Sequence, residues 1–151
     1  MTALPPARTP LLRRLALRLL LAGALGMTAL PTGAAASPQD FPRVQATERA
    51  LFRVHLQSDA IPVPLRRMHT WRIHITDASG QPVSGAVVRV GGGMPQHRHG
   101  LPTQPRVTAS ETPGEYLMSG VRFSMRGRWV LTLRISAEDA PSDVVTFSFV
   151  L

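Results

Sequence analysis

A large apolar residue stands at every second position of the segment Trp129-Val130-Leu131-Thr132-Leu133-Arg134-Ile135. Successive side chains of a β-strand point to opposite sides of the sheet, so these apolar residues would share one face. A helix would instead bury residues three or four positions apart. The segment therefore predicts a half-buried β-strand whose apolar face needs a partner layer.

The same alternation recurs on both sides of this segment. Apolar and polar residues alternate in further stretches at residues 51–56, 71–76, 86–90, 116–118 and 145–151. Turn-forming clusters separate the stretches at intervals of about ten residues, and Asp, Ser and Gly in these clusters stabilise tight turns. Only residues 45–50 could start a helical turn. The pattern predicts an all-β protein, a β-sandwich of about seven strands.

The composition excludes several classes of enzyme. The chain has 151 residues, 44% of them apolar and 17% charged, which is typical of a globular protein. It contains neither cysteine nor lysine, which excludes disulfides, thiol catalysis, Cys-ligated zinc and Schiff-base chemistry. No nucleophile elbow, zinc-protease helix or glycosidase carboxylate pair is present. We therefore expect a protein that is not an enzyme, and the 5% aromatic content argues against nucleic acid as its partner.

Residues 1–36 have the features of a secretory signal peptide with its helix. Four arginines and then a twelve-residue apolar run at 19–30 precede three alanines at 34–36, which offer a cleavage site. Cleavage would lower the formal net charge from +8 to +4. The alternative is that the segment stays uncleaved as an anchor, and this anchor is the only membrane contact that we expect. We predict export to the periplasm or another extracytoplasmic compartment, a linker at 37–50 and one domain at 51–151.

One loop, at residues 91–103, is unlike an ordinary hairpin. It contains three consecutive glycines, followed by Met94, His97 and His99. Consecutive glycines cost conformational entropy, which favours a sharp bend or a close approach of the backbone. Imidazole nitrogen binds copper, zinc, iron and nickel, and thioether sulfur selects for Cu(I). Met94, His97 and His99 are therefore candidate copper ligands, the alternative being exposed loop histidines that bind nothing.

Further donors flank the predicted strands. His69 lies just before the strand at 71–76, and Met125 lies just before the turn that leads into the strand at 129–135. A strand-and-loop topology would bring them, together with Met68, to the same end of the sandwich as the loop histidines. The alternatives are an imidazole bonded to a backbone carbonyl for His69 and core packing for the methionines. Core packing is favoured for Met118, because it alternates with an aromatic residue.

Several stretches resemble the YtkA-like domain family, small exported or membrane-anchored bacterial domains related in pattern to the FixH group. They are residues 68–71, 77–83, 92–103, 114–116 and 121–129. The resemblance covers residues 52–151 and implies an immunoglobulin-like sandwich. It also implies a role in extracytoplasmic copper handling, including copper supply to respiratory oxidases.

Two arginines depart from the family pattern: Arg66 precedes the Met68-His69 pair, and Arg98 separates His97 from His99. Their positive charges are expected to oppose a bound cation. Two functions remain open. One is a copper-binding accessory domain that passes its ion to a membrane or respiratory-complex protein by ligand exchange. The other is a metal-free immunoglobulin-like interaction module that docks a membrane complex through a loop or an exposed strand edge.

Overall fold

The computed structural model describes residues 43–151, so the predicted signal peptide at 1–36 and residues 37–42 of the predicted linker lie outside the described residues. Within the described range the chain forms nine strands and one short 3₁₀ helix, Pro95–His97. The strands are β1 (Arg43–Ala46), β2 (Phe52–Ser58), β3 (His69–Asp77), β4 (Val87–Met94), β5 (His99–Gly100), β6 (Arg106–Ala109), β7 (Glu115–Val121), β8 (Arg128–Ala137) and β9 (Ala140–Val150).

The strands form two sheets. The five-stranded sheet has the order β1-β2-β3-β7-β6, and the four-stranded sheet has the order β5-β4-β8-β9. All pairings between these strands are antiparallel. The prediction of an all-β protein is confirmed, and the two sheets agree with a sandwich. The immunoglobulin-like assignment stays a prediction.

The core follows the alternation that the sequence shows. The apolar face of β8 is fully buried, at Trp129, Leu131, Leu133 and Ile135. The inward residues of β2, β3, β7 and β9 join it in one hydrophobic cluster. Fully burying one such side chain stabilises the fold by about 1.5–3 kcal/mol, so these strands hold the two layers together. Met118 lies in this cluster, as predicted.

The five-stranded sheet begins earlier than the sequence pattern indicates. Residues 43–46 fall within the predicted linker, yet they form β1 and pair with β2 from Arg43↔Leu56 to Ala46↔Arg53. The helical turn considered at residues 45–50 is not formed; Thr47 instead closes a turn through hydrogen bonds with the backbone of Phe52. The outward side chains of β1 are mostly exposed, so this edge strand carries no apolar alternation that a sequence pattern could reveal.

Three connections between strands lie at the same end of the two sheets. β3 begins there at His69, directly opposite the last residue of β7, and β4 ends there where β8 begins. The ring of Phe123, in the connection after β7, contacts the ring of Trp129 in β8 at this point, with centroids 5.0 Å apart. We call it the histidine end; the connections 59–68, 95–105 and 122–127 meet there. Among the described residues no helix is long and apolar enough to span a bilayer.

Candidate functional site

The glycine run of β4 is a place of close backbone approach. A Cβ atom on Gly92 would lie 2.2 Å from the carbonyl oxygen of Val130, and one on Gly93 would lie 2.2 Å from that of His99. Their φ angles of 139° and 154° also disfavour any side chain. Glycine therefore lets β4 fit between β8 and β5, which sets Met94 opposite His99 in the ladder.

The two loop histidines lie side by side on the surface. The rings of His97 and His99 stack with their centroids 5.9 Å apart and their planes at 26°, and both residues are exposed. Arg98, between them, adopts a left-handed conformation with φ 55° that turns the chain from the 3₁₀ helix into β5. The backbone conformation of the 3₁₀ helix and β5 thus fixes the positions of the two histidines.

A backbone carbonyl sets the tautomer of His99. The Nδ1 atom of His99 lies 3.0 Å from the carbonyl oxygen of Gly100, and only a protonated nitrogen can donate to that acceptor. Nε2 then carries the lone pair, which is the arrangement commonly found in metal-binding histidines. The ring also packs against the edge of Trp129, with centroids 5.8 Å apart, and this contact orients it further.

Met94 does not share the surface with the histidines. Its side chain is fully buried in the hydrophobic cluster, and a Cβ on Gly127 would lie 2.6 Å from its Cε atom. The β7–β8 connection therefore covers the thioether. Met94 fills the core, which is the alternative that the sequence left open for the other methionines, and its sulfur is shielded from any ion at the loop.

Met125 and Met68 are the exposed thioethers of the histidine end, with 43% and 68% of their surface accessible. The indole Nε1 of Trp129 donates a hydrogen bond of 3.0 Å to the carbonyl oxygen of Met125. The same indole contacts the ring of His99. Trp129 therefore ties the loop of Met125 to the histidine loop, a link between distant segments that no sequence motif announced.

His69 is a half-buried, neutral histidine. Its Nδ1 lies 3.1 Å from the carbonyl oxygen of Arg67, so the predicted bond to a backbone carbonyl is present. Burial lowers the pKa of His69, and the Arg67 carbonyl and Asp59 offset this only in part. Nε2 is shielded from solvent and has no protein hydrogen-bond partner within the described range. An unpaired buried acceptor costs about 1–3 kcal/mol.

Aromatic rings separate His69 from the loop pair. The His69 ring contacts Phe123, at 5.6 Å between centroids, and Phe123 in turn contacts Trp129, which contacts His99. His97 and His99 are thus brought together, while His69 lies at the same end behind two rings. In residues 43–151 no group of three or more His, Cys, Asp or Glu residues is placed to hold a metal ion.

The surface beside His99 forms a shallow depression of about 300 Å³, lined by Met94, Pro95, Arg98, His99, Val130 and the glycines of β4 and β5. Its walls come from β4, β5 and β8, so the hollow depends on the close backbone approach at the glycines. An ion bound by the two imidazoles would lie next to this depression. The positive charge of Arg98 would lie close to it.

Comparison with known proteins places these features in a family context. The family model described as YtkA-like matches residues 50–134. A crystal structure of a DUF4426 family protein from Pseudomonas aeruginosa PAO1 aligns over 72% of this chain and 96% of its own, with a TM-score of 0.54 and 19% identity, a likeness of fold alone. The ZirS C-terminal domain aligns over 94% and 95% with a TM-score of 0.41 and 13% identity. A search of curated proteins found no match.

Proposed function

The chain belongs to the YtkA-like family, and from this premise we propose that it is an exported copper-binding accessory domain. Cu(I) would be held at the histidine end by the imidazoles of His97 and His99 and by the thioether of Met125. The observation that carries the proposal is the exposed, stacked pair of imidazoles, whose centroids are 5.9 Å apart. The donation of Nδ1 of His99 to the backbone supports it, because Nε2 is then free to bind.

The donor set favours copper over zinc. Structural zinc sites are closed by four nitrogen, sulfur or carboxylate ligands, and no such cluster of histidines and acids occurs in the described part of the chain. Two imidazoles and a thioether match the preferences of Cu(I) for nitrogen and soft sulfur. A site with few ligands at an exposed loop also leaves positions through which an acceptor can take the ion.

The charge around the site would keep binding weak. Arg98 lies between the two histidines and lines the adjoining hollow, and a unit charge at about 4 Å opposes another by about 1 kcal/mol in water. Weak binding suits a domain that delivers its ion rather than stores it. We propose a copper protein of a membrane or respiratory complex as the recipient, with transfer by ligand exchange.

A competition titration tests the copper proposal. The protein would compete with a chromogenic Cu(I) chelator for one equivalent of metal. His97→Ala/His99→Ala should weaken binding at least about 100-fold, because even the loss of residues that only orient metal ligands costs 10–100-fold. Gln96→Ala, in the same loop, should bind like the wild type.

Two results would contradict the proposal: an absence of competitive binding at micromolar copper, or equal affinity in the histidine variant. Either would favour the metal-free interaction module. The exposed arginines of the histidine end are the observation on which that second function would rest.

A further inference from the structure

Charge is divided between the two ends of the sandwich. Seven arginines lie in or beside the connections of the histidine end: Arg66, Arg67, Arg98, Arg106, Arg122, Arg126 and Arg128. In the described range Asp59 is the one acid at that end, and it contacts Arg72 at 3.5 Å. The other described acids lie toward the opposite end: Glu48, Asp77, Glu111, Glu115, Glu138, Asp139 and Asp143.

The arginines of the histidine end are not used inside the fold as ion pairs. The ion pairs within residues 43–151 involve only Arg49 and Arg72. Arg122 is half-buried and the other six arginines of the group are exposed. Their charges therefore face solvent together and create a positive potential in front of this end.

Exposed apolar side chains stand among these charges. The large apolar residues that remain exposed in the described range include Ile61 at 62%, Met68 at 68% and Met125 at 43%, all in connections of the histidine end. A single exposed apolar residue needs no explanation. Apolar side chains set among several arginines, however, have the composition of a surface that enters the headgroup region of a bilayer.

We propose that the histidine end docks on an anionic phospholipid bilayer, with the arginines at the headgroup phosphates and Ile61, Met68 and Met125 reaching toward the acyl boundary. Nucleic acid fits less well, because the large aromatic rings of this end, Phe123 and Trp129, are fully buried and offer no stacking platform. This membrane contact would be additional to the membrane contact that an uncleaved N-terminus would make. It needs no copper, although Met125 belongs both to this contact and to the proposed metal site.

The test is co-sedimentation of the metal-free protein, as recovered from cells, with lipid vesicles. One set would be phosphatidylcholine alone and the other phosphatidylcholine and phosphatidylglycerol in equal parts. We expect stronger binding to the anionic vesicles, decreasing as salt increases. Binding to the neutral vesicles measures what the N-terminal segment and the exposed apolar side chains contribute together without the headgroup charge.

Matched charge variants locate the contact. Arg67→Ser/Arg126→Ser should weaken binding to anionic vesicles about 25-fold, since each arginine near such a surface contributes about fivefold. Arg53→Ser/Arg134→Ser removes the same charge from exposed positions outside the histidine end and should change binding less than about twofold. Met68→Ser should weaken the binding that remains at high salt. Thermal unfolding checks that every variant is folded.

Three results would overturn the proposal. They are equal binding to the two vesicle sets, equal loss in both double variants, and binding to poly-glutamate without binding to anionic vesicles. The last would assign the histidine end to an acidic protein. Copper titration of Arg67→Ser/Arg126→Ser, which keeps both loop histidines, separates a failure of lipid docking from a failure of the metal site.

Discussion

Arg98 has a backbone conformation that is unfavourable for a residue with a Cβ atom. Its positive charge is also unfavourable for the proposed binding of a cation. Its φ of 55° is left-handed, a conformation that costs a residue with a Cβ atom roughly 1–2 kcal/mol relative to glycine. Arg66, at the same end of the molecule, has φ 60°. Both positions would suit glycine better, so each arginine stands at a position that the backbone conformation disfavours. Such residues are found preferentially at functional surfaces.

Replacing Arg98 separates these two effects. Arg98→Gly should raise the free energy of unfolding by up to about 1 kcal/mol, because relief of the backbone exceeds the entropy cost of glycine. It should also raise Cu(I) affinity by up to about fivefold, since an opposing charge is lost. Thermal unfolding and chelator competition measure the two changes. Arg98→Ser, which keeps the Cβ atom, should raise affinity without raising stability; unchanged affinity in both variants would contradict the electrostatic account.

Single residues were predicted well where neighbours in sequence determine their surroundings. The burial of Met118 followed from the alternation around it, and the surface position of His97 and His99 agrees with a polar loop. The burial of Met94 could not be predicted in this way, because the residue that covers it, Gly127, belongs to another hairpin. The two rings between His69 and the loop histidines likewise come from separate segments.

At the scale of the element, the position of β4 in its sheet depends on two glycines that have no side chain. Gly92 and Gly93 let it lie between β8 and β5, whereas a Cβ atom on Gly91 would meet nothing within 4 Å. Glycine normally weakens a strand, so this run would be unfavourable anywhere else in the sheet. Here it forms the floor of the histidine loop.

The glycine positions should respond differently to substitution. Gly93→Ala should destabilise the protein by more than about 1 kcal/mol, because its new methyl group would meet the His99 carbonyl and its φ is unfavourable. Gly91→Ala should be neutral or slightly stabilising. Denaturant unfolding compares the two, and loss of the proposed copper binding should accompany only the first. Equal stability of both variants would contradict the close approach.

A buried carboxylate joins β9 to the turn after β1. Asp143 is almost fully buried and accepts hydrogen bonds from the backbone N–H groups of Arg49, Leu51 and Val144 at 3.1, 3.4 and 2.8 Å. Burial alone would raise the pKa of Asp143, but the hydrogen bonds from the turn and from Val144 outweigh it and lower the pKa below its ordinary value. The ionised form is therefore the one that the fold stabilises.

This lowered pKa sets the sign of a pH effect. The unfolded Asp143 has a pKa of about 3.9, so its contribution is fully present above that value and is lost as pH falls through the lower folded pKa. Asp143→Asn should therefore be less stable than the wild type at about pH 6, and the difference should shrink toward about pH 3. Urea unfolding at several pH values measures it. A difference that grows on acidification would contradict the assignment.

Strand alternation predicted the elements with an apolar face against the core, namely β2, β3, β4, β7, β8 and β9. It missed β1 and β5, which are short edge strands with mostly exposed side chains. Such strands are held by ladder hydrogen bonds to a neighbour, and a neighbour cannot be read from local pattern. The number of strands was therefore underestimated while the class of fold was correct.

At the scale of the whole molecule, the net charge conceals a separation of charge. The sequence shows scattered arginines, and only the topology brings those of three connections to one end and most acids to the other. Proposed metal ligands, exposed methionines and unpaired arginines thus share one surface. Composition alone favoured an ordinary basic surface, because the positions in the fold were not available to it.

Export is a prediction for the molecule as a whole. If residues 1–36 are a signal peptide, the protein recovered outside the cytoplasm should begin at Ser37, because the three preceding alanines suit the cleavage enzyme. Mass spectrometry of the intact protein from a periplasmic extract measures this. Recovery of the uncut chain in the membrane fraction would favour the anchor, and recovery in the cytoplasm would contradict export.

X-ray absorption at the copper edge of the Cu(I)-loaded protein tests the metal site most directly. The account predicts imidazole nitrogen scattering together with one sulfur neighbour. The nitrogen signal should disappear in His97→Ala/His99→Ala, and the sulfur signal should disappear in Met125→Ala. A spectrum that neither variant changes, or a copper shell made of sulfur alone, would contradict the assignment of the copper site to the histidine end.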